Sequence, residues 1–251
     1  MLSLGEQRAT KVKTFPVIEI FGPTIQGEGA EAGLPTHFVR FGGCDFRCSW
    51  CDTAYAVDPA TVRREATRMG VEEICAALNG LEGSPAWVSL SGGNPALHHL
   101  GGLVDLMHSG GRLVSVETQG SVWRDWLADV DRLTISPKPP SSGMATARHE
   151  AQFTGFMDQA GRSGALARAV LKVVCFDEDD VIWAKRAAGP FVEVPLMLSA
   201  GTPVPAGGPV RELVGDRYRW LCERVAGDPE LSLVRVLPQL HVIAWKEARA
   251  V

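Results

Sequence analysis

Three of the six cysteines in this 251-residue chain lie within eight residues, in the stretch Cys44-Asp-Phe-Arg-Cys48-Ser-Trp-Cys51. An odd number of clustered cysteines cannot form a complete set of disulfides, so a metal site is the natural interpretation. A four-iron cluster is normally held by four thiolates. With three thiolates nearby, one iron keeps an open position at which a small molecule can bind and react.

The spacing C-x3-C-x2-C resembles that of the radical S-adenosylmethionine (SAM) enzymes. The resemblance implies that Cys44, Cys48 and Cys51 hold a 4Fe–4S cluster, whose fourth iron binds SAM before its cleavage to a 5′-deoxyadenosyl radical. The alternative is a zinc site of three cysteines and one histidine. His37 is the nearest histidine upstream, but it lies in an apolar run, and no second ligand pair follows at a matching spacing. We therefore favour the cluster.

The composition, 45% hydrophobic and 22% charged, suits one fairly large domain or two small ones. A chain of this length buries roughly 70–75% of its unfolded surface, so it does not need disulfides for stability. The other cysteines, Cys75, Cys175 and Cys222, lie in apolar contexts and are expected in the core. Together with the clustered thiols, they favour a reducing, cytoplasmic location.

Membranes and nucleic acids are not expected as partners. The N-terminus lacks the apolar core of a signal peptide, and no apolar run approaches the roughly 20 residues that a membrane span needs. The net charge is −4, and no basic run or basic stripe appears. We expect a single domain over residues 1–251, in which residues 1–12 form a polar arm.

Strands and helices are predicted to alternate along the chain, which indicates parallel β/α units in one sheet or barrel. The predicted strands are 16–21, 36–42, 87–90, 112–116, 132–135, 169–176, 191–198 and 233–237. The predicted helices are 71–81, 97–107, 179–188 and 211–225, with a short amphipathic segment at 123–130. Residues 57–69 are expected to be a loop or an exposed helix, and 199–209 a loop rich in proline and glycine.

Segments able to do chemistry follow the predicted strands, where sites gather in such folds. They are the loop 22–29, the cysteines, Ser91-Gly-Gly, Glu117-Thr-Gln-Gly, Ser136-Pro-Lys and Gln239-Leu-His. Each alone also has a simple structural explanation, as a turn or a cap. Their common position at the carboxyl ends of the strands is the stronger argument for one shared site.

Individual side chains suggest particular tasks within that site. Arg40, at a strand end, could clamp a carboxylate with two parallel hydrogen bonds, although a solvated surface arginine is the commoner case. Thr53 could bind a hard cation or merely cap the next turn. Glu117 is a candidate acceptor for a ribose hydroxyl, and Phe46 and Trp50 could shield the cluster from water.

The Gly92-Gly93 pair would let the backbone approach SAM closely. Most radical SAM enzymes carry Gly-Gly-Glu-Pro at this loop, whereas this chain has Asn94 before Pro95. The carboxylate is therefore lost, although the amide oxygen can still accept a hydrogen bond. The role of Asn94 stays open at the level of the sequence.

Further motifs resemble one radical SAM family, the 7-carboxy-7-deazaguanine synthases, from about residue 15 to the C-terminus. They are Thr24-Ile-Gln-Gly-Glu-Gly, Phe38-Val-Arg-Phe-Gly-Gly-Cys44, Cys48-Ser-Trp-Cys51-Asp-Thr53, Ile135-Ser-Pro-Lys-Pro-Pro-Ser-Ser-Gly-Met144 and Leu237-Pro-Gln-Leu-His241. The resemblance implies an α/β fold, an incomplete (β/α) barrel of the radical SAM type. It also implies a homodimer with magnesium as a further cofactor and an electron donor such as a flavodoxin or ferredoxin.

The implied reaction is that of a carbon–nitrogen lyase. 6-Carboxy-5,6,7,8-tetrahydropterin would lose ammonia and contract to 7-carboxy-7-deazaguanine after hydrogen abstraction from C6. SAM would be regenerated, magnesium would orient the substrate, and the product would feed deazapurine pathways such as that to queuosine.

The resemblance also implies residue roles. The SAM contacts would be Trp50, Cys51, Asp52, Gly93, Ser136, Pro137 and Lys138, to which the residue-based interpretation adds Glu117 as the candidate ribose acceptor. The pterin contacts would be Ile25, Gln26, Gly27, Arg40 and Ser91, with Glu28 and His241 as further candidates. Thr53 would bind magnesium. Two other interpretations remain: an activator of a glycyl-radical enzyme, which shares the cysteine spacing, and a zinc-stabilised binding module.

Overall fold

The computed structural model describes residues 13–202, 210–245 and 249–250, with the backbone alone at 210–213. The predicted polar arm 1–12 lies outside the described residues, as do residues 203–209 of the predicted loop 199–209. No helix among the described residues is long and apolar enough to cross a membrane.

All nine described strands belong to one sheet, in the order β3-β1-β2-β4-β5-β6-β7-β8-β9. Their bounds are β1 Phe15–Ile25, β2 Pro35–Phe41, β3 Thr67–Met69, β4 Trp87–Gly92, β5 Leu113–Thr118, β6 Arg132–Ile135, β7 Ala169–Cys175, β8 Leu196–Ala200 and β9 Arg235–Leu237. Strand β1 is antiparallel to both β2 and β3, and each later pair is parallel. β3 and β9 stay at the two edges, so the sheet is an open, incomplete barrel, as predicted.

Helices lie between most of the parallel strands, as expected for β/α units. They are α1 Ala54–Val57, α2 Pro59–Glu65, α3 Val71–Asn79, α4 Gly101–Ser109, α5 Ala147–Ser163, α6 Glu178–Ala188, α7 Val210–Ala226 and α8 Leu240–Trp245. The predicted amphipathic segment at 123–130 is a 3-10 helix, Asp125–Ala128. The predicted helix at 97–107 begins later, because His98 is extended after a 3-10 turn at Pro95–Leu97.

The longest helix of the central region, α5, has no counterpart among the predicted elements. Its start is capped by Thr146, whose side chain accepts from the backbone N–H of His149, and Gly164 ends it in the left-handed conformation. Phe153, Phe156, Met157 and Ala160 are its buried residues. They recur at helical spacing, so the sequence contained a usable signal for α5.

Two further predictions need correction. The strand predicted at 191–198 begins only at Leu196, because a 3-10 turn at Gly189–Phe191 and further turns precede it, and Val192 is 85% exposed. The stretch predicted as a loop or exposed helix contains α2 and also the short strand β3. β3 pairs with the start of β1 and has no buried residue, so its sequence lacks the apolar pattern of a strand.

Strand β7 shows how the sheet is buried on both faces. All seven of its residues are buried, as expected for a parallel strand covered by helices. Six are apolar, and the exception is Lys172. A buried lysine needs charged or hydrogen-bonding partners, since moving an unpaired ammonium out of water is costly. Its partners lie at the carboxyl-end mouth of the sheet, where the cavity described below opens.

Candidate active site

A cavity of about 610 Å³ opens at the carboxyl ends of the parallel strands. This volume lies within the range of about 300–1,000 Å³ common for small-molecule sites. All but two of the residues expected to bind the cluster, magnesium, SAM or substrate line it: Ile25, Gln26, Gly27, Glu28, Arg40, Cys44, Cys48, Trp50, Cys51, Asp52, Thr53, Ser91, Gly93, Glu117, Lys138 and His241. Ser136 and Pro137 do not line it.

The three clustered cysteines are free thiols in the loop that follows β2. The loop is fixed by its own backbone and by Arg47, which donates to the carbonyl oxygen of Cys44 at 2.7 Å. Burial and the two neighbouring thiols raise the pKa of Cys48 to about 11 despite the charge of Lys138. The thiol therefore stays protonated at neutral pH until a metal displaces its proton.

The donor set of this loop suits an iron–sulfur cluster. Three thiols face one cavity, and they leave the fourth coordination position to a small molecule. Among the described residues, no three or more His, Cys, Asp or Glu side chains are grouped to hold a single metal ion. A cluster does not require such grouping, since each thiolate binds a different iron atom.

His37, the histidine of the alternative zinc site, lies away from the cysteines. It is fully buried near the start of β2, whereas the cysteine loop follows the end of that strand. One ring nitrogen lies 3.2 Å from the carbonyl oxygen of Glu82 and the other 3.4 Å from Arg112. It is not among the residues that line the cavity, so the structure contradicts a zinc site that uses His37.

The Gly92-Gly93 turn is packed directly against the backbone that leads into the cysteine loop. The N–H of Gly93 donates to the carbonyl of Phe41, and the N–H of Asn94 to that of Gly43. A Cβ on Gly93 would lie 2.1 Å from the carbonyl oxygen of Gly43, so no larger residue fits. Gly92 adopts a φ of 130°, which other residues rarely reach.

Aromatic side chains wall the cysteine end of the cavity. Phe46 is buried and packs against His149, with ring centroids 4.3 Å apart. Trp50 packs against Phe176 and donates its indole N–H to the hydroxyl of Ser141 at 3.0 Å. These contacts place both rings beside the cysteine loop, although the three thiols stay partly exposed to the cavity.

Lys138 brings a positive charge to the same end of the cavity. Its ammonium donates to Ser136 Oγ at 2.9 Å and lies 6.0 Å from the ring centre of Trp50. Ser136 is buried behind Lys138, and Pro137 lines a small adjoining cavity. The structure thus presents Lys138 to a ligand, whereas Ser136 supports its ammonium.

Thr53 precedes α1 at its N-cap position but makes no side-chain cap hydrogen bond. Its hydroxyl lies 3.8 Å from Cys51 Sγ and lines the cavity. The simpler explanation, a capping threonine, therefore has no hydrogen bond to support it. A hydroxyl at this place is available to a hard cation that takes its other ligands from substrate and water.

Arg40 lies on β2 opposite Ser91 of β4, so two predicted substrate residues are direct neighbours. Its Nε is paired with Glu19 at 2.5 Å, which leaves the terminal nitrogens without a hydrogen bond to any described residue. Burial opposes ionisation of Glu19, but the charge of Arg40 and hydrogen bonds from Arg40, Arg249 and Tyr55 together lower its pKa. Glu19 thus orients a guanidinium whose outer edge can still meet a carboxylate.

The Gln26 amide is held in place by a chain of hydroxyl groups. Its nitrogen donates to Ser89 Oγ at 3.2 Å, and its oxygen accepts from the backbone N–H of Glu28 at 3.3 Å. Ser89 Oγ in turn lies 2.9 Å from Ser115 Oγ on the neighbouring strand. The interior of a barrel mouth lined by hydroxyls suits a polar heterocycle better than an apolar one.

Gly27 lies against the last helix of the chain. Its carbonyl accepts from the N–H of Leu240, and a Cβ at this position would lie 2.4 Å from His241 Nδ1. The glycine therefore allows α8 to bring His241 beside the loop after β1. Two motifs separated by most of the chain meet here.

Lys172 is a functional candidate that the motif comparison did not select. Its ammonium is paired with the carboxylates of Glu28 and Glu117, the latter at 2.7 Å, and it lines the floor of the cavity. Burial opposes the charge of Glu28, but Lys172, with help from His241 and Gln239, lowers the pKa of Glu28 to about 2. The two carboxylates likewise raise the pKa of Lys172 despite its burial. A charged residue inside an otherwise apolar strand was the signal in the sequence.

Gln239 completes this network from the segment after β9. Its amide nitrogen donates to Glu28 Oε1, and its oxygen accepts from Thr202 Oγ1. Gln239 belongs to the Pro-Gln-Leu-His motif, of which only the histidine was proposed as a site residue. Both oxygens of the Glu28 carboxylate are thus held by partners, Oε2 by Lys172 and Oε1 by Gln239, and the residue still lines the cavity.

Two solved structures have a similar fold. QueE from Escherichia coli has a TM-score of 0.66 at 21% identity, covering 91% of this chain and 95% of that chain. Streptococcus suis SuiB bound to S-adenosylmethionine has a TM-score of 0.51 at 11% identity, covering 81% of this chain and 50% of that chain. The chain has the incomplete (β/α) barrel of the radical SAM enzymes, as predicted.

The chain belongs to the 7-carboxy-7-deazaguanine synthase family. It is 41% identical to the Bacillus subtilis (strain 168) 7-carboxy-7-deazaguanine synthase, over 95% of this chain and 99% of that protein. It is 38% identical to the synthase of Bacillus cereus, over 94% of this chain and 98% of that protein. No model of a protein family matches the chain. The predicted family is confirmed, and the chain is an enzyme of this kind.

Proposed function

We propose that the protein converts 6-carboxy-5,6,7,8-tetrahydropterin to 7-carboxy-7-deazaguanine and ammonia, using SAM catalytically. The main observation in support is that one cavity is lined by three free cysteines, the Gly92-Gly93 turn and the Gln26–Glu28 loop. Full-length relatives that carry the name of this synthase support the substrate. The balance is simple, since the product equals the substrate minus one molecule of ammonia.

The cysteine end of the cavity is proposed to bind SAM. Cys44, Cys48 and Cys51 would hold a 4Fe–4S cluster, which when bound supplies the electron for SAM cleavage. The SAM contacts would come from Trp50, Asp52, Gly93, Glu117 and Lys138, with Ser136 and Pro137 behind Lys138. Glu117 is 34% exposed although one oxygen meets Lys172, so it retains an oxygen that can accept from a ribose hydroxyl.

The opposite end is proposed to bind the pterin. Arg40, oriented by Glu19, would clamp the carboxylate beside Ser91. Glu28, kept ionised by Lys172, would accept from the N–H groups of the ring. Ile25, Gln26, Gly27 and His241 would form the surrounding wall. This arrangement would hold C6 at the boundary between the two ends, where the 5′-deoxyadenosyl radical would remove its hydrogen.

Magnesium is proposed to sit at Thr53, with substrate oxygen and water as its remaining ligands. The position fits because the hydroxyl makes no cap hydrogen bond and lines the cavity next to Cys51. A homodimer, an electron donor of the flavodoxin or ferredoxin type, a cytoplasmic location and a role in queuosine-type pathways complete the proposal. The free thiols agree with a reducing compartment.

The testing experiment uses protein purified without oxygen and reconstituted with iron and sulfide. SAM, reductant, magnesium and 6-carboxytetrahydropterin are added, and mass spectrometry follows 7-carboxy-7-deazaguanine and 5′-deoxyadenosine. We expect product with little net SAM consumption. Cleavage of SAM without product would reject the pterin substrate, and a colourless protein without iron would reject the cluster.

A further inference from the structure

Asn94 replaces the glutamate that most radical SAM enzymes carry after the glycine pair, and it does not face the cavity. It is fully buried. Gly92 and Gly93 line the cavity, whereas Asn94 is not among its lining residues. The side chain at this position therefore acts on the protein itself and not on a ligand in the cavity.

Every hydrogen-bonding position of the Asn94 amide is used. Its oxygen accepts from Thr118 Oγ1 at 2.8 Å and from the N–H of Ala96 at 3.2 Å. Its nitrogen donates to Asp45 Oδ1 at 2.9 Å and to Ser121 Oγ at 3.2 Å. The amide oxygen accepts from Thr118 and Ala96, while the amide nitrogen donates to Asp45. An ionised carboxylate could accept from the first two but has no proton to donate to Asp45.

Asp45 directly follows the first cysteine and ties the cysteine loop to two neighbouring loops. Its Oδ1 also accepts from the Gln119 amide at 2.5 Å, and the same Gln119 nitrogen lies 3.4 Å from Cys44 Sγ. A carboxylate only accepts, so both amides must turn their NH2 groups toward it. Hydrogen bonds to an ionised acceptor are about twice as strong as neutral ones.

We propose that Asn94 is a positioning residue that holds Asp45, and through it the cysteine loop, in the geometry that retains the iron–sulfur cluster. An amide suits this position because Asp45 faces it: an ionised carboxylate in its place would put two like charges in contact with no donor between them. The one carboxylate of this junction comes from the cysteine loop. The inference rests on the cluster-binding part of the proposed function and not on the substrate.

The test is a cycle of variants at two positions: Asn94→Asp, Asp45→Asn and the double variant. Each protein is reconstituted without oxygen, and the rate of iron release to a chelator is measured. We expect Asn94→Asp to release iron about tenfold faster than the unaltered protein, because the introduced carboxylate loses the hydrogen bond that Asn94 donates to Asp45 and places a like charge beside it. Asp45→Asn should stay within about threefold, since its amide oxygen can occupy the same acceptor position.

The double variant decides whether Asn94 acts through Asp45. The amide introduced by Asp45→Asn can turn its NH2 group toward the carboxylate introduced by Asn94→Asp. The Asn94→Asp change should therefore accelerate release by no more than about threefold in this background. Equal acceleration in both backgrounds would show that Asn94 acts only through the general stability of the core, and would overturn the inference.

A matched control and a fallback keep the test decisive. Ser121→Ala removes another partner of Asn94 without touching Asp45, and should leave iron release unchanged.

If Asn94→Asp does not fold, Asp45→Ala at the exposed position must itself speed iron release about threefold. No change there rejects the inference. Release rates are readable whatever the substrate, so failure of the pterin assignment leaves the result intact, whereas an unaltered protein that holds no iron rejects both.

Discussion

The two ends of the cavity are built with different forces. At the cysteine end, the loops are joined by backbone hydrogen bonds and by glycines too close to neighbouring carbonyls for any side chain, as at Gly93. At the opposite end, the buried Lys172 on β7 pairs with Glu28 of the loop after β1, and its second partner, Glu117 on β5, extends this ionic network toward the cysteine end. Backbone contacts and the hydrogen bonds to Asp45 hold one end, and ion pairs hold the other.

This difference predicts different sensitivities. The backbone hydrogen bonds at the cysteine end remain when a side chain is replaced, so side-chain changes there should affect the bound cluster more than the fold. A buried ion network is costly to break, because the remaining charge stays unpaired in a poorly solvated place. Changes at the charged end should therefore affect folding stability and its pH dependence as well as binding.

The largest expected effect is the loss of the cluster in Cys48→Ala. We expect iron content after reconstitution to fall to the level of a protein with no cluster, with no product, while the apo protein unfolds at an unchanged denaturant concentration. Cys75→Ala is the matched control, because Cys75 does not line the cavity, and it should bind iron normally. Full iron content in Cys48→Ala would contradict the ligand assignment.

The second effect lies at the charged end. Lys172→Met leaves Glu28 and Glu117 facing each other without a cation, and should cost about 3–5 kcal/mol in the free energy of unfolding. Denaturant unfolding of the apo protein measures it. Adding Glu28→Gln to Lys172→Met removes one of the unpaired charges and should recover part of the loss. If Lys172→Met were as stable as the unaltered protein, the charged end would not depend on this network.

The pH dependence of folding stability should also depend on the charged end of the cavity, through Glu28. The pKa of Glu28, about 2 in the folded protein, lies below its ordinary value. Its stabilisation is therefore present above the unfolded pKa and is lost as the pH falls toward 2, by roughly 3 kcal/mol. Glu28→Gln should flatten the unfolding free energy over this acidic window. An unchanged profile would show that Glu28 is not held ionised by Lys172.

A smaller effect is expected for Arg40→Ala, which removes the proposed carboxylate clamp. The KM for the pterin should rise about tenfold to a hundredfold, while iron content stays normal. Arg40→Lys retains the charge but not the planar guanidinium, so its KM should lie between that of the unaltered protein and that of Arg40→Ala. Loss of iron in Arg40→Ala would instead assign Arg40 a structural role at the cysteine end.

The smallest effect is expected for Thr53→Ala. Removing the hydroxyl should raise the magnesium concentration for half-maximal activity about tenfold, without changing iron content. Thr53→Ser preserves the hydroxyl and is the matched control. An identical magnesium response in Thr53→Ala would exclude Thr53 from the metal site.

Most of the candidate site could be predicted from the sequence because its residues sit in short motifs. The cysteine spacing, the glycine pair and Arg40 each act through local geometry: neighbours in the chain are neighbours at the site. The β/α alternation then places all such loops at one mouth. The helix α5 was missed although its apolar residues recur at helical spacing, so that omission was not forced by the physics.

Other features depend on distant contacts. The sequence displays a lysine inside an apolar strand, but its partner Glu28 is 144 positions away, and no local pattern pairs them. The same holds for Asn94, whose substitution for glutamate is visible in the sequence while its partner Asp45 is not. β8 begins late because turns around the exposed Val192 outweigh the strand preference of its residues.

The sequence by itself determined the chemistry available to this protein: three thiols at cluster spacing, glycine turns after strands, and an alternation that forms one parallel sheet. Tertiary structure alone decided which charges meet, which amide faces which carboxylate, and which arginine nitrogens stay free for a ligand. The physical reason is the distance along the chain over which each kind of interaction acts. Turn geometry and side-chain periodicity act over a few residues, whereas burial and ion pairing act between whatever side chains the completed sheet brings together.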